Sequence, residues 1–100
     1  MSKIIFDDDA IRTTCYLHNK TTKFIVAMEE MGECIKEISK SFRGRRNNDR
    51  LAEEIADVYF SLAQIAHIRG IPMVDIQQQI EEKMERWAYL EELAAKIAAQ

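Results

Sequence analysis

Two pairs of carboxylates with a three-residue spacing stand out in this 100-residue sequence: Glu30 with Glu33, and Glu54 with Asp57. On an α-helix, residues i and i+3 lie on one face, so each pair can present both carboxylates in the same direction. Four converging carboxylates repel one another unless a cation lies among them. Carboxylate oxygens are also the ligands that Mg²⁺ prefers. The spacing therefore predicts a magnesium site, provided that two helices bring the pairs together.

Three apolar stripes with a helical period predict three long helices. The first stripe comprises Phe24, Met28, Met31, Ile35, Ile38 and Phe42; the second comprises Leu51, Ile55, Val58, Leu62 and Ile65; the third comprises Met73, Ile76, Ile80, Met84 and Trp87. A polar segment with Gly44 separates the first two helices, and Gly70 and Pro72 separate the next two. A short helix is predicted over residues 7–18, capped by Asp7 or Asp8. We expect one all-α domain over residues 1–100, with an antiparallel helical hairpin, a third long helix and a short N-terminal helix.

The register of this hairpin places the carboxylates together. A turn through residues 43–49 brings the two pairs to one level within about a helical turn, roughly 5 Å. Glu54 and Asp57 lie beside the second stripe, where an unpaired charge is costly, so we expect them to be partly buried. A single pair of this kind usually lies on a solvated helix face. Two pairs at one level favour a metal site instead.

Composition narrows the possible partners and the compartment. The net charge of −3 gives no reason to expect nucleic acid or an acidic membrane surface as a partner, and no stretch is apolar enough to span a bilayer. Two cysteines, Cys15 and Cys34, are too few for a disulfide framework, so we expect reduced thiols and a cytoplasmic location. A chain of this length buries a limited core. Self-association as a homodimer or homotetramer is therefore expected.

The acidic segments resemble a known superfamily. Residues 29–33 (Glu-Glu-Met-Gly-Glu) and 54–58 (Glu-Ile-Ala-Asp-Val) are similar to the EExxE…ExxD signature of the all-α nucleoside triphosphate pyrophosphohydrolases, which include the MazG type, the dCTP pyrophosphatases and the dimeric dUTPases. The resemblance covers residues 18 to about 90. It implies an enzyme, a hydrolase of acid anhydrides, that uses Mg²⁺, or Mn²⁺ in its place, to convert an NTP or dNTP to the monophosphate and pyrophosphate. It also implies an oligomer with sites between subunits.

The resemblance assigns roles to individual residues. Glu30, Glu33, Glu54 and Asp57 would hold one or two metal ions, and either Glu33 or Glu29 would accept a proton from the attacking water. Lys83 falls where the superfamily places a phosphate-binding lysine, and Arg86 matches the MazG version of the same segment. His18, twelve residues before Glu30, is similar to a histidine that lines the nucleotide pocket in the dCTP pyrophosphatases. The alternative for Lys83 and Arg86 is a solvated cationic edge.

Two alternative functions are also compatible with the sequence. Phosphoribosyl-ATP pyrophosphohydrolase belongs to the same superfamily, and its Glu-x-Ala-Asp-Leu-x-Tyr segment is echoed in part by residues 54–59. A non-catalytic helical dimerisation module would need only the apolar stripes and no metal.

Overall fold

The described part of the chain is mostly helical. The computed structural model describes residues 8–15 and 19–100. Within these ranges there are four α-helices and no strand: α1 (Asp8–Cys15), α2 (Lys20–Phe42), α3 (Asn48–Ile68) and α4 (Met73–Ala98). The predicted all-α fold is confirmed, with its hairpin, its further long helix and its short N-terminal helix. None of the described helices is long and apolar enough to cross a membrane.

Local sequence signals fix the ends of α2 and α3. Each begins after an asparagine whose side chain accepts a hydrogen bond from a backbone N–H in the first turn: Asn19 accepts from Thr22 at 2.8 Å, and Asn47 accepts from Arg50 at 3.1 Å. These caps satisfy donors that the helix itself leaves free. Glycines with positive φ follow both helices, Gly44 at 84° and Gly70 at 69°. Glycine adopts this conformation without steric cost, so the helices end there.

The described residues form two compact units. The first extends to Gly70 and contains α1, α2 and α3, with α2 and α1 both packed against α3; the second covers Ile71–Gln100 and contains α4. No residue of α4 is buried. A single domain over residues 1–100 remains a prediction.

Contacts at three levels show that α2 and α3 are antiparallel. Glu37 of α2 pairs with Arg50 of α3. Seven residues away on each helix, Glu30 of α2 clusters with Asp57 of α3. After another seven residues, Lys23 of α2 and Gln64 of α3 line the same pocket. Residue numbers fall along α2 by sevens as they rise along α3 by sevens. Because seven residues are about two helical turns, each level repeats the same pair of facing helix surfaces.

The inside of the hairpin is made of small and polar side chains. The buried apolar residues of α2 are Ala27 and Cys34, at 2% and 9% exposure, and the face of α3 that carries Asp57 buries the small polar side chain of Ser61. By contrast, Met28 and Phe42 of the first apolar stripe are 63% and 91% exposed. Small residues let two helices approach closely, so α2 turns its carboxylate face toward α3. Met28 and Phe42 consequently lie on the outer side of the hairpin.

Candidate metal centre

Three carboxylates meet between α2 and α3. One oxygen each of Glu30, Glu54 and Asp57 lies within 4.8 Å of the others. Glu54 is buried and Asp57 is half-buried, as their positions beside the second apolar stripe led us to expect, and Glu30 on α2 is half-buried as well. The three-residue spacing on α3 puts Glu54 and Asp57 on one face, and the antiparallel register brings Glu30 to the same level. The structure thus assembles three of the four predicted metal ligands.

Glu54 is the most constrained of these carboxylates. Its side chain is about 5% exposed. Its Oε1 lies 2.9 Å from Nη2 of Arg50, which is one turn earlier in α3. Its Oε2 is buried and has no hydrogen-bond partner among the described residues. An unsatisfied buried carboxylate oxygen is costly, because desolvation is not repaid by any donor. This oxygen is therefore suited to a cation.

Crowding also shows in the electrostatics of Glu30. Burial raises the pKa of its carboxyl above the ordinary value of 4.5, and the nearby charges of Asp57 and Glu54 raise it further. A hydrogen bond with Asp57 acts in the same direction, and so does the charge of Glu33. Each of these effects disfavours the ionised form in the metal-free protein. A divalent cation would reverse this preference by pairing with the carboxylates.

The fourth predicted ligand, Glu33, lies outside the group of three. Its Oε1 is 3.3 Å from Nζ of Lys36, one turn further along α2, and its side chain is 47% exposed. Glu29, the other candidate proton acceptor, is exposed. The roles of Glu33 as ligand, and of Glu29 or Glu33 as proton acceptor, remain predictions.

A pocket of about 270 Å³ extends from the carboxylates along the groove between α2 and α3. Glu30 and Asp57 line it near the cluster, and Lys23 and Gln64 line it two helical turns away. Val26, Phe60 and Ser61 complete the lining. Lys23 and Gln64 are both buried, and sequence reasoning missed them. The available signal was their seven-residue offset from Glu30 and Asp57, which places each on the same helix face as its acidic partner.

The predicted substrate-binding residues are not brought to this cluster by any described contact. Lys83 and Arg86 are exposed on α4, three residues apart and therefore on neighbouring positions of one face. His18 lies outside the described residues. The substrate-binding role of all three remains a prediction. Arg50, in contrast, was not predicted as a partner of Glu54, although their four-residue spacing is a recognised helical ion-pair spacing.

Comparison with known proteins agrees with this geometry. The family model of the MazG nucleotide pyrophosphohydrolase domain matches residues 18–88, which include all three clustered carboxylates as well as Lys83 and Arg86. No curated protein and no solved structure gives a significant match. The match covers most of the chain and places the clustered carboxylates inside the matched segment. The chain therefore belongs to the MazG nucleotide pyrophosphohydrolase family and is a hydrolase that acts on nucleotide pyrophosphate bonds.

Proposed function

We propose that the protein is a Mg²⁺-dependent nucleoside triphosphate pyrophosphohydrolase that converts an NTP or dNTP to the monophosphate and pyrophosphate. The observation that supports this proposal most directly is the buried Oε2 of Glu54, which has no hydrogen-bond partner within residues 8–15 and 19–100 and lies beside two further carboxylates. A protein gains nothing from three crowded carboxylates in its metal-free form, since their repulsion opposes folding. A bound cation would offset this repulsion between the three carboxylates.

The donor set fits Mg²⁺. All three groups offer carboxylate oxygens, and Mg²⁺ is a hard cation that accepts a few carboxylates while retaining water and binding substrate phosphates. Glu30, Glu54 and Asp57 would hold the ion, with Glu33 as the proposed fourth ligand. When bound, Mg²⁺ supplies neutralisation of the triphosphate charge and activation of water. Mn²⁺ has the same preference for oxygen ligands and is expected to substitute.

The remaining steps belong to the side chains of this protein. Glu33 or Glu29 accepts the proton of the attacking water, and both lie on the α2 turn that also carries Glu30. Glu33 pairs with Lys36 in a half-exposed position, where water can reach its carboxylate. Lys83 and Arg86 would bind the phosphates of the leaving pyrophosphate, because cationic donors stabilise the charge that develops there.

The pocket beside the cluster provides room for the nucleoside part of the substrate. Lys23 and Gln64 offer polar groups at its far side, while Phe60, 41% exposed, offers a ring face for base stacking. Bound phosphates near Glu30 and Asp57 would leave the sugar and base to extend along this groove. His18 is proposed to contact the same nucleotide.

We further propose that the protein works as a homodimer or homotetramer in the cytoplasm. The first apolar stripe is exposed over much of its length, and Ile35 and Ile38 are 65% and 53% exposed. Apolar surface of this kind typically marks an interface. Cys15 and Cys34 are both free thiols, which suits a reducing compartment.

The proposal is tested by a product assay over all NTPs and dNTPs, with and without Mg²⁺. We expect equal amounts of pyrophosphate and nucleoside monophosphate from at least one substrate, and none after chelation of the metal. Phosphoribosyl-ATP belongs in the same screen, because exclusive turnover of that compound would favour the histidine-pathway alternative. Release of orthophosphate, or no turnover of any compound, would contradict the proposal.

A matched pair of variants connects the product to the metal centre. Glu54→Gln removes a buried charge from the cluster, whereas Glu53→Gln removes the neighbouring charge from a side chain that is 64% exposed. Glu54→Gln should lower turnover by orders of magnitude, and Glu53→Gln should leave it unchanged. Equal activity of the two variants would remove the three-carboxylate cluster from the reaction.

A further inference from the structure

Arg50 occupies a helix position that does not favour a cation. It lies in the first turn of α3, where its backbone N–H donates to the capping side chain of Asn47. The partial positive charge at a helix N-terminus repels a cationic side chain in the first turn. The contacts of the guanidinium group must therefore favour arginine at this position.

The guanidinium group lies between two buried carboxylates. Nη2 is 2.9 Å from Oε1 of Glu54, and Nε is 3.7 Å from Oε1 of Glu37. Glu37 is itself held by Nζ of Lys40 at 3.1 Å. The contact with exposed Glu53 is longer, at 3.9 Å. The planar fork of arginine can hold two carboxylates in fixed directions at once. The ion pair places the Arg50 guanidinium group on the Oε1 side of the Glu54 carboxylate.

This placement bears on how many oxygens Glu54 can offer to a metal. Oε1 is engaged by Arg50, whereas Oε2 has no partner within the described part of the chain. Mg²⁺ is small and requires near-ideal octahedral geometry, while Ca²⁺ takes six to eight ligands and readily binds both oxygens of one carboxylate. We propose that Arg50 makes the metal centre selective for Mg²⁺ over Ca²⁺ by restricting Glu54 to a single ligating oxygen. This inference depends on the metal site in the proposed function.

The charge of Arg50 has a different effect that can be separated from its orienting effect. A nearby cation repels every divalent ion, so loss of the charge should strengthen Mg²⁺ and Ca²⁺ binding by a similar factor. Loss of the orienting contact should instead favour Ca²⁺, because Glu54 would then be free to bind through both oxygens. The ratio of the two affinities therefore reports on orientation alone.

The experiment is calorimetric titration of the full chain with MgCl₂ and with CaCl₂, without nucleotide. The variants are Arg50→Gln, which removes the charge, and Arg50→Lys, which keeps a charge beside Glu37 and Glu54 but lacks the fork. Loss of a side chain that orients a metal ligand changes affinity by about 10-fold or more. We expect the affinity for Ca²⁺ relative to Mg²⁺ to rise by about that factor in Arg50→Gln, and in the same direction in Arg50→Lys.

Glu53→Gln is the control, since it removes an exposed carboxylate that contacts the same guanidinium group without lying in the cluster. Its affinity ratio should equal that of the wild type. Circular dichroism checks that each variant folds. If Arg50→Gln does not fold, the affinity ratio of Arg50→Lys provides the test. An unchanged ratio in a folded Arg50 variant overturns this inference but leaves the proposed metal site intact. Failure of the wild type to bind either ion overturns both.

Discussion

Replacement of Glu30 by glutamine should make the metal-free protein more stable and the metal-loaded protein less stable than the wild type. The carboxylate oxygens of Glu30, Glu54 and Asp57 lie within 4.8 Å of one another. Two unit charges at that distance repel by about 3.5 kcal/mol at an effective dielectric constant of about 20. Because Glu30 and Asp57 are only half-buried, salt and water reduce the recoverable part to about 1 kcal/mol.

This energy corresponds to a measurable shift in melting temperature. For a chain of this size, 1 kcal/mol changes the melting temperature by about 4–8 °C. Glu30→Gln should therefore melt several degrees above the wild type in the presence of a chelator. Mg²⁺ at a hundred times its dissociation constant should stabilise the wild type by about 2.7 kcal/mol, and the variant by much less because it lacks a ligand. The order of the two melting temperatures should then reverse.

The assay is a thermal melt followed by circular dichroism at one protein concentration, with a chelator and then with a series of Mg²⁺ concentrations. Glu53→Gln provides the control, because its carboxylate is exposed and outside the cluster. It should follow the wild-type curve under both conditions. A Glu30→Gln protein that melts below the wild type without metal would show that the cluster does not carry the repulsion inferred from its geometry. Equal metal-induced shifts in both proteins would show that Glu30 is not a ligand.

Three other predictions concern pH, the catalytic base and phosphate binding. The pKa of Glu30 is raised above 4.5 in the folded state, so its ionised carboxylate destabilises the folded metal-free wild type. This destabilisation is complete at pH values above the raised pKa. The free energy of unfolding of the wild type in urea should thus increase, relative to Glu30→Gln, as the pH falls from neutral toward 4.5. Glu33→Gln should lower kcat far more than Glu29→Gln if Glu33 is the base, and the reverse result in single-turnover assays would assign Glu29. Lys83→Ala should raise KM and slow pyrophosphate release, whereas Lys96→Ala, on the same helix beyond the family match, should change neither; equal small effects would remove Lys83 from the site.

The helices were predictable because the signals that define them are local. Apolar periodicity and the Gly44 and Gly70 breaks act within a few residues, and the structure confirms the breaks. The level of the carboxylates was predictable as well, since a short connection leaves little freedom in the hairpin register. The spacing on α3 then placed Glu54 and Asp57 on one face.

The details of the site depend on which face of α2 meets α3, and that choice is not local. The large side chains of the first apolar stripe made it the apparent packing face, yet α2 meets α3 through Ala27 and the carboxylate face. The pairing of Arg50 with Glu37 was therefore not predicted, nor was the lining of the groove by Lys23 and Gln64. The pairing of Glu33 with Lys36 reflects side-chain rotamers, which a spacing rule does not specify.

The packing of α2 on α3 through its polar face, with its apolar stripe exposed, connects the site to oligomerisation. Polar side chains face each other between α2 and α3 at intervals of two turns, as the pairs Glu37 with Arg50 and Glu30 with Asp57 show. Such contacts bury little apolar surface, so they position the site but contribute little to the stability of the hairpin. We propose that the exposed first apolar stripe supplies the stabilising burial through a second copy of the chain. We therefore expect Ile35→Glu, at a side chain 65% exposed, to dissociate the oligomer in sedimentation experiments and to lower the melting temperature together with activity. Lys36→Glu, at the next and also exposed position, should leave assembly intact. A monomeric Ile35→Glu protein with wild-type stability would show that the hairpin stabilises itself.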